Sequence, residues 1–93
     1  MQEPVNSNNI KLIKTLGEII KSHREEKNKT IYGISAESSM SKSTWREVEL
    51  GVCNDINLTT LWKVAEGLEV TPASLLTELS ERLGNEFSLT GLD

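Results

Sequence analysis

Residues 30–51 read TIYGISAESSMSKSTWREVELG. The apolar residues Ile34, Met40, Trp45 and Val48 recur at the spacing of two short helices rather than in the alternation of a strand. Thr30 and Ser41 stand where each helix would begin, and a side-chain oxygen there accepts from an otherwise unpaired amide of the first turn. Between them Ser38-Ser39-Met40 reads as a tight turn, with Met40 plugging the core beneath it. The spacing predicts a helix-turn-helix. The side of its second helix opposite Trp45 and Val48 carries Lys42, Ser43, Arg46 and Glu47, hydrogen-bonding groups of the kind that read base edges in a DNA groove.

Working outward toward the N-terminus, Ile13, Leu16, Ile20 and His23 recur at three- and four-residue steps, which predicts a first helix from Ile10 to about Lys27-Asn28. Lys11, Lys14, Lys21, Arg24 and Lys27 lie on its other faces, where some are free to meet phosphates. His23 falls on the apolar side and is expected to be packed rather than to bind metal, because no second His is present. Residues 1–9 are polar, contain Glu3 and have no Lys or Arg, so they read as a flexible, inert arm.

Working outward in the other direction, residues 52–56 read as a loop. Asn57 caps a helix with Leu58, Leu61, Trp62, Ala65 and Leu68 on one face. Residues 67–70 connect to Thr71-Pro72, a cap followed by a proline in the first turn, where its missing amide hydrogen costs nothing. The fifth helix carries a leucine stripe, Leu75, Leu76, Leu79 and Leu83, which is either ordinary core or in part a dimer seam. Gly84 ends it. In the tail, 84–93, Phe87 and Leu89 alternate, and that segment either docks on a partner subunit or frays. The organisation expected is an arm at 1–9, a helical domain at 10–83 and a C-terminal tail at 84–93.

Composition sets the outer bounds. Ninety-three residues allow one core, burying about two-thirds of the surface of the unfolded chain. The chain is 37% hydrophobic and 26% charged with no apolar run that would span a membrane. Its polar start shows no secretory signal, so a cytoplasmic location is expected. The single cysteine, Cys53, has no partner for an internal disulfide and no neighbouring base or cation in sequence, and reads as incidental. No nucleophile-base set, glycine-rich phosphate loop or metal cluster is present, which argues against an enzyme and against a metal or other cofactor.

The net charge of -4 argues at first against nucleic acid, because phosphate binding is driven largely by Lys and Arg. The distribution is uneven. Through Arg46 there are eight Lys/Arg against five Asp/Glu, and from Glu47 onward two against nine. A basic N-terminal half can still offer one face to DNA.

From Leu16 to Leu76 the chain resembles the lambda-repressor-like helix-turn-helix family, also called Xre or Cro/CI. The resemblance rests on Leu16-Gly17, Ile20, Arg24, Ile34, Ser43-Thr44, Val48-Glu49 and Gly51, then on Leu58, Leu61, Val64-Ala65, Leu68, Val70 and Leu75-Leu76. It implies an all-α fold, a compact bundle of five helices whose second crosses the DNA backbone and whose third enters the major groove. By position it implies base contacts from Lys42 and Ser43, further exposed sites at Arg46 and Glu47, and a site close to phosphate or base at Thr44. It implies too that Arg24 and Glu49 form a structural ion pair.

Several positions depart from the family's pattern. Ile31 stands where a phosphate-anchoring Gln is common, and Leu50 where Arg or Asn is frequent. Ser39 replaces a turn Gly, and Ser35 an Ala. Trp45 occupies a site usually held by Ile or Val; its neighbours favour placing the indole in the core. The function so implied is a sequence-specific transcriptional regulator, a repressor, binding double-stranded DNA as a homodimer on a near-palindromic operator. The alternative is a protein-interaction module of the same fold, such as an antitoxin or a partner of another regulator, with weak DNA binding.

Overall fold

The structure, a computed structural model, describes residues 7–90. Five helices follow in order: α1 (Ser7–Glu26), α2 (Ile31–Glu37), α3 (Lys42–Leu50), α4 (Leu58–Leu68) and α5 (Pro72–Leu83). Four of them begin at a side chain that satisfies an orphan amide. Thr30 Oγ1 accepts from Gly33 N at 3.0 Å, Ser41 Oγ from Thr44 N at 3.0 Å, Asn57 Oδ1 from Thr60 N at 2.8 Å and Thr71 Oγ1 from Ser74 N at 3.0 Å. Such caps each contribute about 1 kcal/mol. The chain turns left-handed at Ser39 (φ 56°), at Gly51 (φ 67°), which ends α3, and at Glu69 (φ 61°), which ends α4.

The core is drawn from all five helices: Ile19 and Ile20 of α1, Ile34 of α2, Trp45 of α3, Val64 and Leu68 of α4, and Leu75 of α5 are sealed from solvent. Met40 packs against this cluster from the turn. The long α1 packs on both α3 and α5, while α2 packs on α3 and α4. The α1–α3 approach depends on Gly17, since a Cβ there would fall 2.5 Å from Val48 O and 2.6 Å from Glu49 O. Backbone can come this close only where the side chain is a hydrogen.

Several local expectations are revised. The helical domain starts before Ile10: α1 opens at Ser7, so residues 7–9 of the expected arm are helical, and residues 1–6 lie outside the described part. Asn9 Nδ2 donates to Asn54 O at 3.3 Å, and Asn8 Nδ2 donates to Ser88 O at 2.7 Å, bringing the tail onto α1 of the same chain. Gly67 lies inside α4 rather than in a connector, and is buried where a Cβ would come within 1.8 Å of Ser38 Oγ. On α4 the inward face is Leu61, Val64, Ala65 and Leu68; Leu58 and Trp62 sit on its shoulder and are 66% and 50% exposed.

The leucine stripe of α5 divides. Leu75 and Leu79 are buried within the chain, so these two are packing residues, and Leu83 is half-buried against the core. The three recur at four-residue steps on the side that α5 turns to the core. Leu76, one position round, is 45% exposed.

Candidate nucleic-acid interface

The two sides of α3 have opposite characters. Inward, Trp45, Val48 and Glu49 are buried. Outward, Lys42, Ser43, Thr44, Arg46 and Glu47 are all exposed. The roll of the helix that separates them is held by packing and by a polar clamp. Arg24 Nε donates to Glu49 Oε2 at 2.6 Å and Arg24 Nη2 to Glu49 Oε1 at 3.0 Å, a two-pronged ion pair between α1 and α3. Arg24 Nη1 also donates to Lys29 O at 2.8 Å. Trp45 Nε1 donates to Glu49 Oε2 at 2.5 Å, so the indole fits a core position with its one polar atom satisfied.

The hydrogen bond with Glu49 raises the proton affinity of the Arg24 guanidinium above its ordinary value; burial opposes this, and the charges of Glu49 and Glu25 add to it. The guanidinium therefore stays charged at any working pH. Buried Ser35 is satisfied as well, donating its hydroxyl to Tyr32 O at 3.0 Å.

The five outward side chains do not stand as one row. Lys42 Nζ lies 5.2 Å from the centroid of the Tyr32 ring on α2, within cation-π range. Thr44 is engaged in capping: its amide donates to Ser41 Oγ and its Oγ1 accepts from the Ser41 hydroxyl at 2.8 Å. Arg46 borders a cleft of about 420 Å³ between α1 and α3, with Lys14 and Lys21 on the α1 side. Ile31 and Leu50 line this cleft too.

Sequence reasoning missed the contact of Tyr32 with Lys42, for which an exposed aromatic in the first turn of a short helix was the available signal. His23 pairs its Nε2 with Glu78 Oε1 at 2.9 Å, joining α1 to α5 across 55 positions of sequence, for which no local signal exists. Cys53 is half-buried in the α3–α4 loop. Burial pushes its thiol pKa up, the charges of Glu47 and Asp55 add to the rise, and a backbone hydrogen bond opposes it. Among the described residues no group of three or more His, Cys, Asp or Glu is placed to hold a metal ion, and no helix is long and apolar enough to cross a membrane.

No protein-family profile matches the chain, and no curated protein matches it by sequence. Solved structures do match by shape. The clp gene regulator ClgR from C. glutamicum superposes with a TM-score of 0.71 at 24% identity, covering 90% of this chain and 100% of that one. A variant of the restriction-modification controller protein C.Esp1396I superposes with a TM-score of 0.71 at 20% identity, covering 81% and 94%. The fold is lambda-repressor-like. Within that fold α2 and α3 form the helix-turn-helix pair, with Ser39 at its left-handed turn.

Proposed function

We propose that the chain is a sequence-specific DNA-binding transcriptional regulator, a member of the lambda-repressor-like family, working as a homodimeric repressor on a near-palindromic operator. The observation that carries this reading is the division of α3. Its inward face is fixed by the Trp45–Glu49–Arg24 clamp, and its outward face offers Lys42, Ser43, Arg46 and Glu47 to solvent. Side chains carried on a rigid helix meet base edges with no backbone left to order, only their own rotamers. The two similar structures, a gene regulator and a restriction-modification controller, support a regulatory role.

Two copies are favoured by area and by surface chemistry. A single module of this kind buries about 600 to 1,000 Å² of protein surface on DNA, and pairing doubles it. Exposed Leu58 and Leu76 line an apolar groove that also includes Leu12 and Ile56, and Leu58 with exposed Trp62 lines a second concavity, surfaces of the type that a second subunit covers. A two-fold pair would present two α3 helices about 34 Å apart on one face of the duplex.

The rival reading, a protein-interaction module with weak DNA binding, is favoured by the net charge of -4 and by the same apolar groove. Binding of labelled random duplex across a salt series separates the two. Regulation through DNA predicts affinity that falls with salt at a log-log slope of about -0.9 per neutralised phosphate. Absence of binding even at low salt would contradict it.

A further inference from the structure

The cleft between α1 and α3 is built unlike the rest of this acidic molecule. Lys14, Glu18 and Lys21 follow one another on one face of α1 at four- and three-residue steps, and all three border the cleft. Arg46 borders it from α3. The remaining charges there, Arg24 and Glu49, satisfy each other. Among the described residues Lys14, Lys21 and Arg46 take part in no salt bridge. Three unpaired cations against one free carboxylate thus surround a concavity of about 420 Å³, in a chain whose net charge is -4.

The cleft also adjoins the surface that would face bases. Arg46 lies one helical turn beyond Lys42 on α3, and Ile31 in the cleft wall precedes Tyr32, whose ring meets Lys42. A duplex that takes the N-terminal part of α3 into its major groove brings one sugar-phosphate strand along the flank of that helix. Lys14, Lys21 and Arg46 border the flank of α3 that faces α1. We propose that the α1–α3 cleft receives backbone phosphates of the bound duplex, with these three side chains as its cations. Arg46 then positions the strand and reads no base, and the cleft supplies the phosphate contacts that Ile31 and Leu50 cannot make.

This inference rests on the DNA-binding reading, and its test is arranged so that the two fail differently. The full chain and the variants Arg46→Gln, Lys14→Gln/Lys21→Gln and Lys42→Gln are titrated with a selected duplex and a random duplex over a salt series; the altered residues are exposed, and melting curves verify folding. Arg46→Gln and the double variant should weaken both duplexes by the same factor. They should reduce the salt slope by about 0.9 for each phosphate that is no longer neutralised and leave base preference unchanged. Lys42→Gln should instead change the preference at a base pair.

The inference is overturned if Arg46→Gln alters base preference, or if neither cleft variant changes the slope while the parent chain binds DNA. Failure of the parent chain to bind any duplex removes the DNA-binding reading itself and this inference with it. Titration with inorganic phosphate at constant ionic strength covers the other source of the same chemistry. Millimolar phosphate that raises the melting temperature of the parent chain but not of the cleft variants, with DNA affinity equal in all of them, would assign the cleft to a free anion and contradict the backbone role.

Discussion

Glu49 Oε2 receives two donors, Trp45 Nε1 at 2.5 Å and Arg24 Nε at 2.6 Å, so the ion pair between α1 and α3 and the indole of α3 share one carboxylate oxygen. The glutamate side chain is only 4% exposed and that of Arg24 12%, so solvent screens little of the interaction. Replacing Glu49 with Ala strands a largely buried guanidinium and an indole N–H together. Such losses cost about 3 to 5 kcal/mol. Urea unfolding of Glu49→Ala should show stability lowered by that amount; a change below about 1 kcal/mol, the size expected of a surface pair, would mean that the clamp does not hold α3.

The Tyr32 ring beneath Lys42 restricts where the ammonium can go, which lowers the ordering cost of a base contact. Exposed cation-π pairs are modest, so Tyr32→Ala should weaken binding to a selected duplex by about two- to fivefold. Tyr32→Phe keeps the π face and should retain most of the affinity. Fluorescence anisotropy with the three proteins makes the comparison. Equal weakening in Ala and Phe would place the effect on the tyrosine hydroxyl instead.

Ser39 adopts φ 56° at the turn between α2 and α3, a conformation in which a Cβ crowds the backbone. Glycine removes that crowding, while its greater freedom in the unfolded chain offsets part of the gain. Ser39→Gly should therefore stabilise the fold by up to about 1 kcal/mol in denaturant unfolding, with DNA affinity unchanged. Destabilisation would show that the serine side chain supplies something the turn needs.

The raised pKa of Cys53 fixes the sign of its reactivity. A thiol whose pKa is pushed up by burial and by Glu47 and Asp55 holds less thiolate at a given pH than a free cysteine. Iodoacetamide should modify Cys53 more slowly in the folded protein than in urea at pH 8, and the folded-state rate should keep rising with pH after that of the unfolded chain has levelled off. Fast modification at neutral pH would contradict the burial argument.

What the sequence revealed follows the range of the interactions involved. The caps at Thr30, Ser41, Asn57 and Thr71 act over three residues and could be placed from spacing alone. Trp45 could be turned inward because Val48 and Ile34 shared its side of the helix pair. Leu58, Trp62 and Leu76 could not be told from their buried neighbours, because a residue on the shoulder of an apolar stripe has nearly the same periodicity as one at its centre. The His23–Glu78 contact and the grouping of Arg46 with Lys14 and Lys21 depend on how α1 lies against α5 and α3. The α1–α3 approach depends on Gly17, and neither placement is encoded in a local pattern.

Whether the outward face of α3 reads DNA sequence is measured by selecting bound fragments from a random duplex pool. The expected result is an enriched sequence made of two half-sites related by two-fold symmetry, with centres about one helical turn apart. Lys42→Gln should change the selected base at one position of each half-site. A pool that remains random after repeated rounds, or an enriched sequence that Lys42→Gln leaves unaltered, would contradict sequence reading by α3.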